Sequence, residues 1–127
     1  MQESTKKGVH VLKGTIITLQ EVQNAFFEKR IHGFDQEKIA ELYYLIDDHG
    51  YVCLRDPDRT WAPNMDEDDE RMACNEIADI LELDHSIIEE YYMVIAAAVQ
   101  AACEQFTDMT QREKVPFYIV ALHELLP

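Results

Sequence analysis

The chain of 127 residues is short of several things, and basic charge comes first: 11 Lys and Arg stand against 25 Asp and Glu, a formal net charge of −14. That balance excludes a nucleic-acid binder working through a basic footprint and a polybasic membrane-surface protein. Glycine and proline occur only four times each, and no repeat or low-complexity segment is present. The three cysteines, Cys53, Cys74 and Cys103, form no CxxC pair; an odd, widely spaced set predicts free thiols in a reduced, cytoplasmic chain. Serine is limited to Ser4 and Ser86, neither in a Gly-x-Ser-x-Gly elbow. The longest apolar run, Met93 to Cys103, covers 11 residues and is interrupted by Gln100, whereas a bilayer span needs about 20.

What is present is enough apolar material, 47% of residues, for a real core. The reading is an N-terminal tail over residues 1–8 followed by a single acidic α+β domain over 9–127. It is predominantly helical, with about five helices around a central long helix and a small two- or three-stranded sheet. Val9 to Leu12 and Thr15 to Thr18 are β-branched runs broken by Lys13-Gly14, and Tyr51 to Leu54 is a short strand able to pair with them. Thr18 and Glu21 have the spacing of a capping box, opening a helix to about Ile31 with Val22, Phe26 and Phe27 inward and Gly33 as its left-handed cap. Asp35 caps a second helix carrying Ile39, Leu42, Tyr43 and Ile46 on one face.

Asp56 to Asn64, with Pro57 and Pro63 around Trp61, reads as a loop. A third helix follows from Asp66 to Leu83 with Met72, Ile77, Ile80 and Leu81 inward. Ser86 and Glu89 form a second capping-box pattern, opening the long helix to about Phe106. Its apolar face is Ile87, Tyr91, Val94, Ile95, Ala98, Ala102 and Phe106, read as central core rather than as the seam of a homodimer, which is the alternative. The last helix runs from near Thr110 to Leu126, with Pro116 kinking it or marking its start.

The distribution of charge is the most informative feature. Residues 1–40 hold six basic and five acidic side chains, whereas residues 66–90 hold eleven acidic ones and one basic, Arg71. Asp66, Glu67, Asp68, Asp69 and Glu70 sit where negative charge suits a helix N-terminus, but two acids would serve that purpose. Glu76, Asp79 and Glu82 are expected to continue along the outer side of the same helix. With Trp61 in the neighbouring loop, these eight carboxylates are the predicted partner-binding residues. Such a row steers and docks a basic protein. A single helix imitates a phosphate backbone sparsely, so Asp47, Asp48, Asp56 and Asp58 would need to contribute.

Residues 75–95, beginning Asn75-Glu76-Ile77-Ala78 and continuing through Glu82 to Glu90, resemble the helix-turn-helix of sigma-type and response-regulator DNA-binding domains. The resemblance implies two packed helices. DNA reading is not implied, because Glu82 replaces the usual small turn residue and the second helix starts with Glu89 and Glu90 instead of base-reading side chains. Asp47 to Val52 resembles the middle of an EF-hand loop, but Leu45 stands at the first ligand position and Asp56 replaces the closing Glu. His123-Glu124 opens like a zinc-protease HExxH and ends at Pro127 without the second histidine. His85 and Glu89, four apart, supply half a metal site with no matching ligands.

The expectation is therefore a non-catalytic binding protein, with no cofactor, metal or catalytic residue, that inhibits or neutralises a basic, nucleic-acid-binding partner protein. An immunity protein, phage-type inhibitor or nucleic-acid mimic suits the size and charge. It would touch no nucleic acid directly and no membrane. The alternatives are a small enzyme or metal protein using His49, His85 or His123 with carboxylates in a deep pocket, and a secretion or assembly chaperone with an exposed apolar groove.

Overall fold

The computed structural model describes residues 15–28, 31, 33–54, 60–61, 66–106 and 112–126. Among these, the chain is predominantly helical. The expected tail, the Val9 to Leu12 strand, and Asp56 and Asp58 lie outside the described residues.

Strand β1 (Thr15–Ile16) leads into helix α1 (Leu19–Glu28). The Thr18 and Glu21 side chains each accept from the other's backbone N–H, at 3.2 and 3.3 Å, so the capping box forms. The helix closes when Ile31 N–H returns to the Phe26 carbonyl at 3.1 Å. Gly33 has the expected left-handed φ of +90° just beyond that closure, where the chain turns toward the next helix. Helix α2 (Gln36–Asp48) starts on Asp35, whose Oδ1 accepts from Lys38 N–H at 2.7 Å. It buries Ile39, Leu42, Tyr43 and Ile46 as their spacing predicts. Strand β2 (Cys53–Leu54) pairs antiparallel with β1, Thr15 opposite Leu54 and Ile16 opposite Cys53.

Among the described residues the expected sheet is reduced to this two-residue ladder of β1 with β2, and a second, separate ladder of the same size is found. The second joins β3 (Thr60–Trp61) to β4 (Arg112–Glu113), so part of the expected loop is paired backbone. Helix α3 (Glu67–Ile80) begins on Asp66, whose Oδ1 accepts from Asp69 N–H at 2.8 Å. A 3-10 turn (His85–Ile87) precedes helix α4 (Ile88–Gln105). The Ser86 capping box does not form: Ser86 N–H donates to Asp84 Oδ1 at 2.8 Å, and Ile87 occupies the cap position with no side-chain bond. Helix α5 (Lys114–Leu125) follows β4 directly. Pro116 lies in its first turn, where a missing N–H costs no helical hydrogen bond, so it marks the start and makes no kink.

The centre of the core is α5, not the long helix α4. Every residue from Lys114 to Leu122 is buried, Phe117, Ile119, Ala121 and Leu122 fully. Helix α4 packs against it and buries Ile95, Ala98, Val99 and Ala102, and Phe106 just past its end sets its ring 5.9 Å from that of Phe117. Four inward assignments fail: Phe27 is 86% exposed, Met72 48%, Val94 54% and Tyr91 44%. The reason is shared: each helix has more apolar residues than its contact stripe of about 100° can accept, and neighbours one position away take the core places.

Candidate functional site

The structure redistributes the predicted carboxylates. Asp66 caps α3, and Glu67 and Asp68 stand exposed in its first turn beside the half-buried Asp69 and Glu70. Glu70 Oε2 accepts from Gln100 Nε2 at 2.7 Å, which ties this end of α3 to the far part of α4. The Trp61 backbone is paired with Arg112 in the second ladder; its side chain lies outside the described residues.

Glu76 is a correction. It does not face outward but accepts a hydrogen bond from the Tyr118 hydroxyl of α5, with Lys114 Nζ at 3.9 Å from the same oxygen. Lys114 is 7% exposed, so its charge is held almost out of water and the Glu76 carboxylate stands beside it. Burial first, and then the adjacent Glu76 charge, push the Tyr118 phenol well above its ordinary range. Glu76 is thus a structural pin between α3 and α5. Spacing could not show this, because its partners lie about forty positions later in the chain.

Asp79 and Glu82 stay exposed and are joined by residues from the end of α2. The Tyr51 hydroxyl donates to Asp79 Oδ2 at 2.8 Å, and burial together with that bond raises the Tyr51 phenol. His49 Nε2 lies 3.3 Å from Glu82 Oε2, and its Nδ1 lies 3.1 Å from the Leu45 carbonyl. Glu82 itself has a left-handed φ of +59°, the conformation that a helix-turn-helix commonly gives to glycine. These two contacts bring the C-terminal ends of α2 and α3 side by side. Asp47, Asp48, Asp79 and Glu82 therefore share one end of the molecule, roughly 20 Å along α3 from the Asp66 to Glu70 group.

Between α4 and α5 lies a feature that the sequence reading missed, an open groove of about 430 Å3 lined by Met93, Val94, Ala97, Ala98, Glu124 and Leu125. Its signal was the unbroken apolar stretch from Met93 to Val99, which goes round a helix too far to be buried on one side. No histidine lines it. His123 instead packs its ring on Phe34, with centroids 4.5 Å apart, while His49 is at the α2 end. Among the described residues no group of His, Cys, Asp and Glu is placed to hold a metal ion. No described helix is long and apolar enough to cross a membrane. Comparison with known proteins returns no family model, no curated protein and no solved structure that matches the chain.

Proposed function

We propose that the protein is a non-catalytic acidic binding protein that captures a basic, nucleic-acid-binding partner protein and so inhibits or neutralises it. The observation that carries this reading is the position of Asp47, Asp48, Asp79 and Glu82 at the C-terminal ends of α2 and α3. Carboxylates at a helix N-terminus help the helix, so the Asp66 to Glu70 group has a local reason to exist. At a C-terminus they oppose the dipole, each by about 0.3–1 kcal/mol, and neither helix has a basic residue in its last turn. Asp79 and Glu82 also hold Tyr51 and His49, but helix stability gives Asp47 and Asp48 no reason to be there; attraction for a cationic surface does. The exposed acids at the other end of α3 extend the same field.

The test is kinetic. A partner captured from lysate at low salt and released at high salt is mixed with wild type and with the triple variant Asp47→Asn, Asp48→Asn, Glu82→Gln. Association of the variant should be several-fold slower with a flatter salt dependence, because exposed charges act over about 8–10 Å and steer encounter. Wild-type rates with an unchanged salt slope would reduce these acids to a solvated face. A second reading, an assembly or secretion chaperone, is favoured by one observation, the exposed apolar groove between α4 and α5.

A further inference from the structure

Part of the solvent side of α4 is apolar where a surface helix is normally polar. Glu90, Met93, Val94, Ala97 and Ala101 recur at helical spacing on one face, and Met93 is 76% and Val94 54% exposed. Across the groove, α5 contributes Leu125 and Glu124. Ala97 and Ala98 form a floor with no side chain beyond Cβ, so a guest helix can approach as closely as packed helices do, at roughly 8–10 Å between axes. From Glu90 to Ala101 the face is about 17 Å long, three helical turns.

Charge decides the occupant. Glu90 and Glu124 are exposed beside the apolar residues, and no described cation lines the groove. Lys38 pairs with Glu41 at 3.3 Å, Arg71 lies over the Tyr92 ring and Lys114 is beside Glu76. A second copy related by a two-fold axis would bring the same acidic patch onto itself. A basic amphipathic helix meets no such opposition, and laying its apolar face in a groove is an established mode of recognition. We propose that the groove between α4 and α5 receives a basic amphipathic helix of the partner, its apolar side on Met93, Val94 and Leu125 and its Lys or Arg side chains against Glu90 and Glu124. The proposal rests on the reading of the partner as basic; it adds a second surface that holds the complex once the acidic end has steered it.

The probe is a fluorescein-labelled peptide of about 18 residues built from Leu and Lys, with Leu at i, i+3, i+4 and i+7, compared with a scrambled peptide of the same composition. Binding to the full-length protein is read by anisotropy. The helically spaced peptide should bind at least tenfold more tightly than the scrambled one. Met93→Asp should weaken it about tenfold, and Glu90→Gln with Glu124→Gln several-fold with a flatter salt dependence. Because these side chains are exposed, the variants should melt with the wild type; Val94→Asp repeats the test if Met93→Asp does not. Equal binding of the two peptides, or no effect of either Asp substitution, overturns the proposal. So does a dimer seen by sedimentation that dissociates on Met93→Asp, which would give the face to a second copy. The triple variant at the ends of α2 and α3 should bind the peptide as wild type does. If it slows partner capture while the groove variants leave peptide binding untouched, the function stands and the groove falls; the converse result removes the function and leaves the groove.

Discussion

Helices α4 and α5 pack on one another and are both rich in apolar residues, yet they meet solvent in opposite ways. Helix α5 is buried over nine consecutive residues, including Lys114 at its start, whereas α4 buries one stripe and leaves Tyr91, Met93 and Val94 in water. The difference is positional. Helix α5 is contacted by α1, α2 and α4 and by its own leading strand, so neighbours cover it from several directions. Helix α4 is contacted mainly by α5 and α3, and the rest of its apolar surface has no cover among the described residues. Apolar residues in α5 hold the fold; those on the outer face of α4 are available to another molecule.

The sharpest way to break this comparison is to truncate matched residues on the two helices. Leu122→Ala in α5 should cost about 2–5 kcal/mol, since the side chain is fully buried. Val94→Ala in α4 should stay within about 0.5 kcal/mol. Urea denaturation of both variants checks this, and equal losses would show that the outer face of α4 is packed after all.

A second contrast separates acids of one helix. Glu76→Gln takes the negative charge from beside the buried Lys114 while leaving Tyr118 an acceptor, and should cost about 1–3 kcal/mol. Glu67→Gln, on the exposed first turn, should be within about 0.5 kcal/mol. If thermal melts of the two coincide, Glu76 is not the pin described.

Alkaline pH probes the buried layer between α3 and α5. Burial, and then the Glu70 carboxylate, push the Cys74 thiol from its ordinary 9.0 up to about 11. The folded state holds this proton more tightly than the unfolded state. Its contribution is therefore complete below about pH 9 and is lost as pH rises through about 11, an effect on the order of 2 kcal/mol. Stability measured at about pH 8 and about pH 10.5 should fall. Cys74→Ala should lose less over that interval, the residual slope coming from the raised Tyr43, Tyr51, Tyr92 and Tyr118 phenols. An identical loss in the variant would contradict the buried thiol.

The smallest effect concerns the C-terminus of α2. Asp48→Asn should raise stability by about 0.3–1 kcal/mol by removing a charge that opposes the helix dipole. A lower melting temperature would mean that Asp48 makes a stabilising contact, and would remove the argument that its position serves binding.

Much of this was legible in local residues. Asp35, Asp66 and the Thr18 and Glu21 pair act within three or four positions, where the backbone geometry of a helix start leaves few alternatives. The pattern Ile39, Leu42, Tyr43 and Ile46 was read correctly because α2 has one clear apolar stripe. Ser86 misled, since Asp84 two positions earlier competes for the same N–H group and wins. Phe27, Met72 and Val94 misled because each is an apolar residue beside a stripe already full.

The sequence by itself determined the helical character, the starts of three helices, the acidic excess and its concentration between residues 66 and 90, because these depend on composition and on interactions a few residues long. Only the tertiary structure decided which helix became the centre, which apolar residues of α4 stayed uncovered, that Glu76 turned inward to Tyr118 and Lys114, and that Asp47 and Asp48 came beside Asp79 and Glu82. Those outcomes depend on contacts between residues far apart in the chain. Competition for a limited core surface, which no local window contains, settles which of several equivalent side chains is buried.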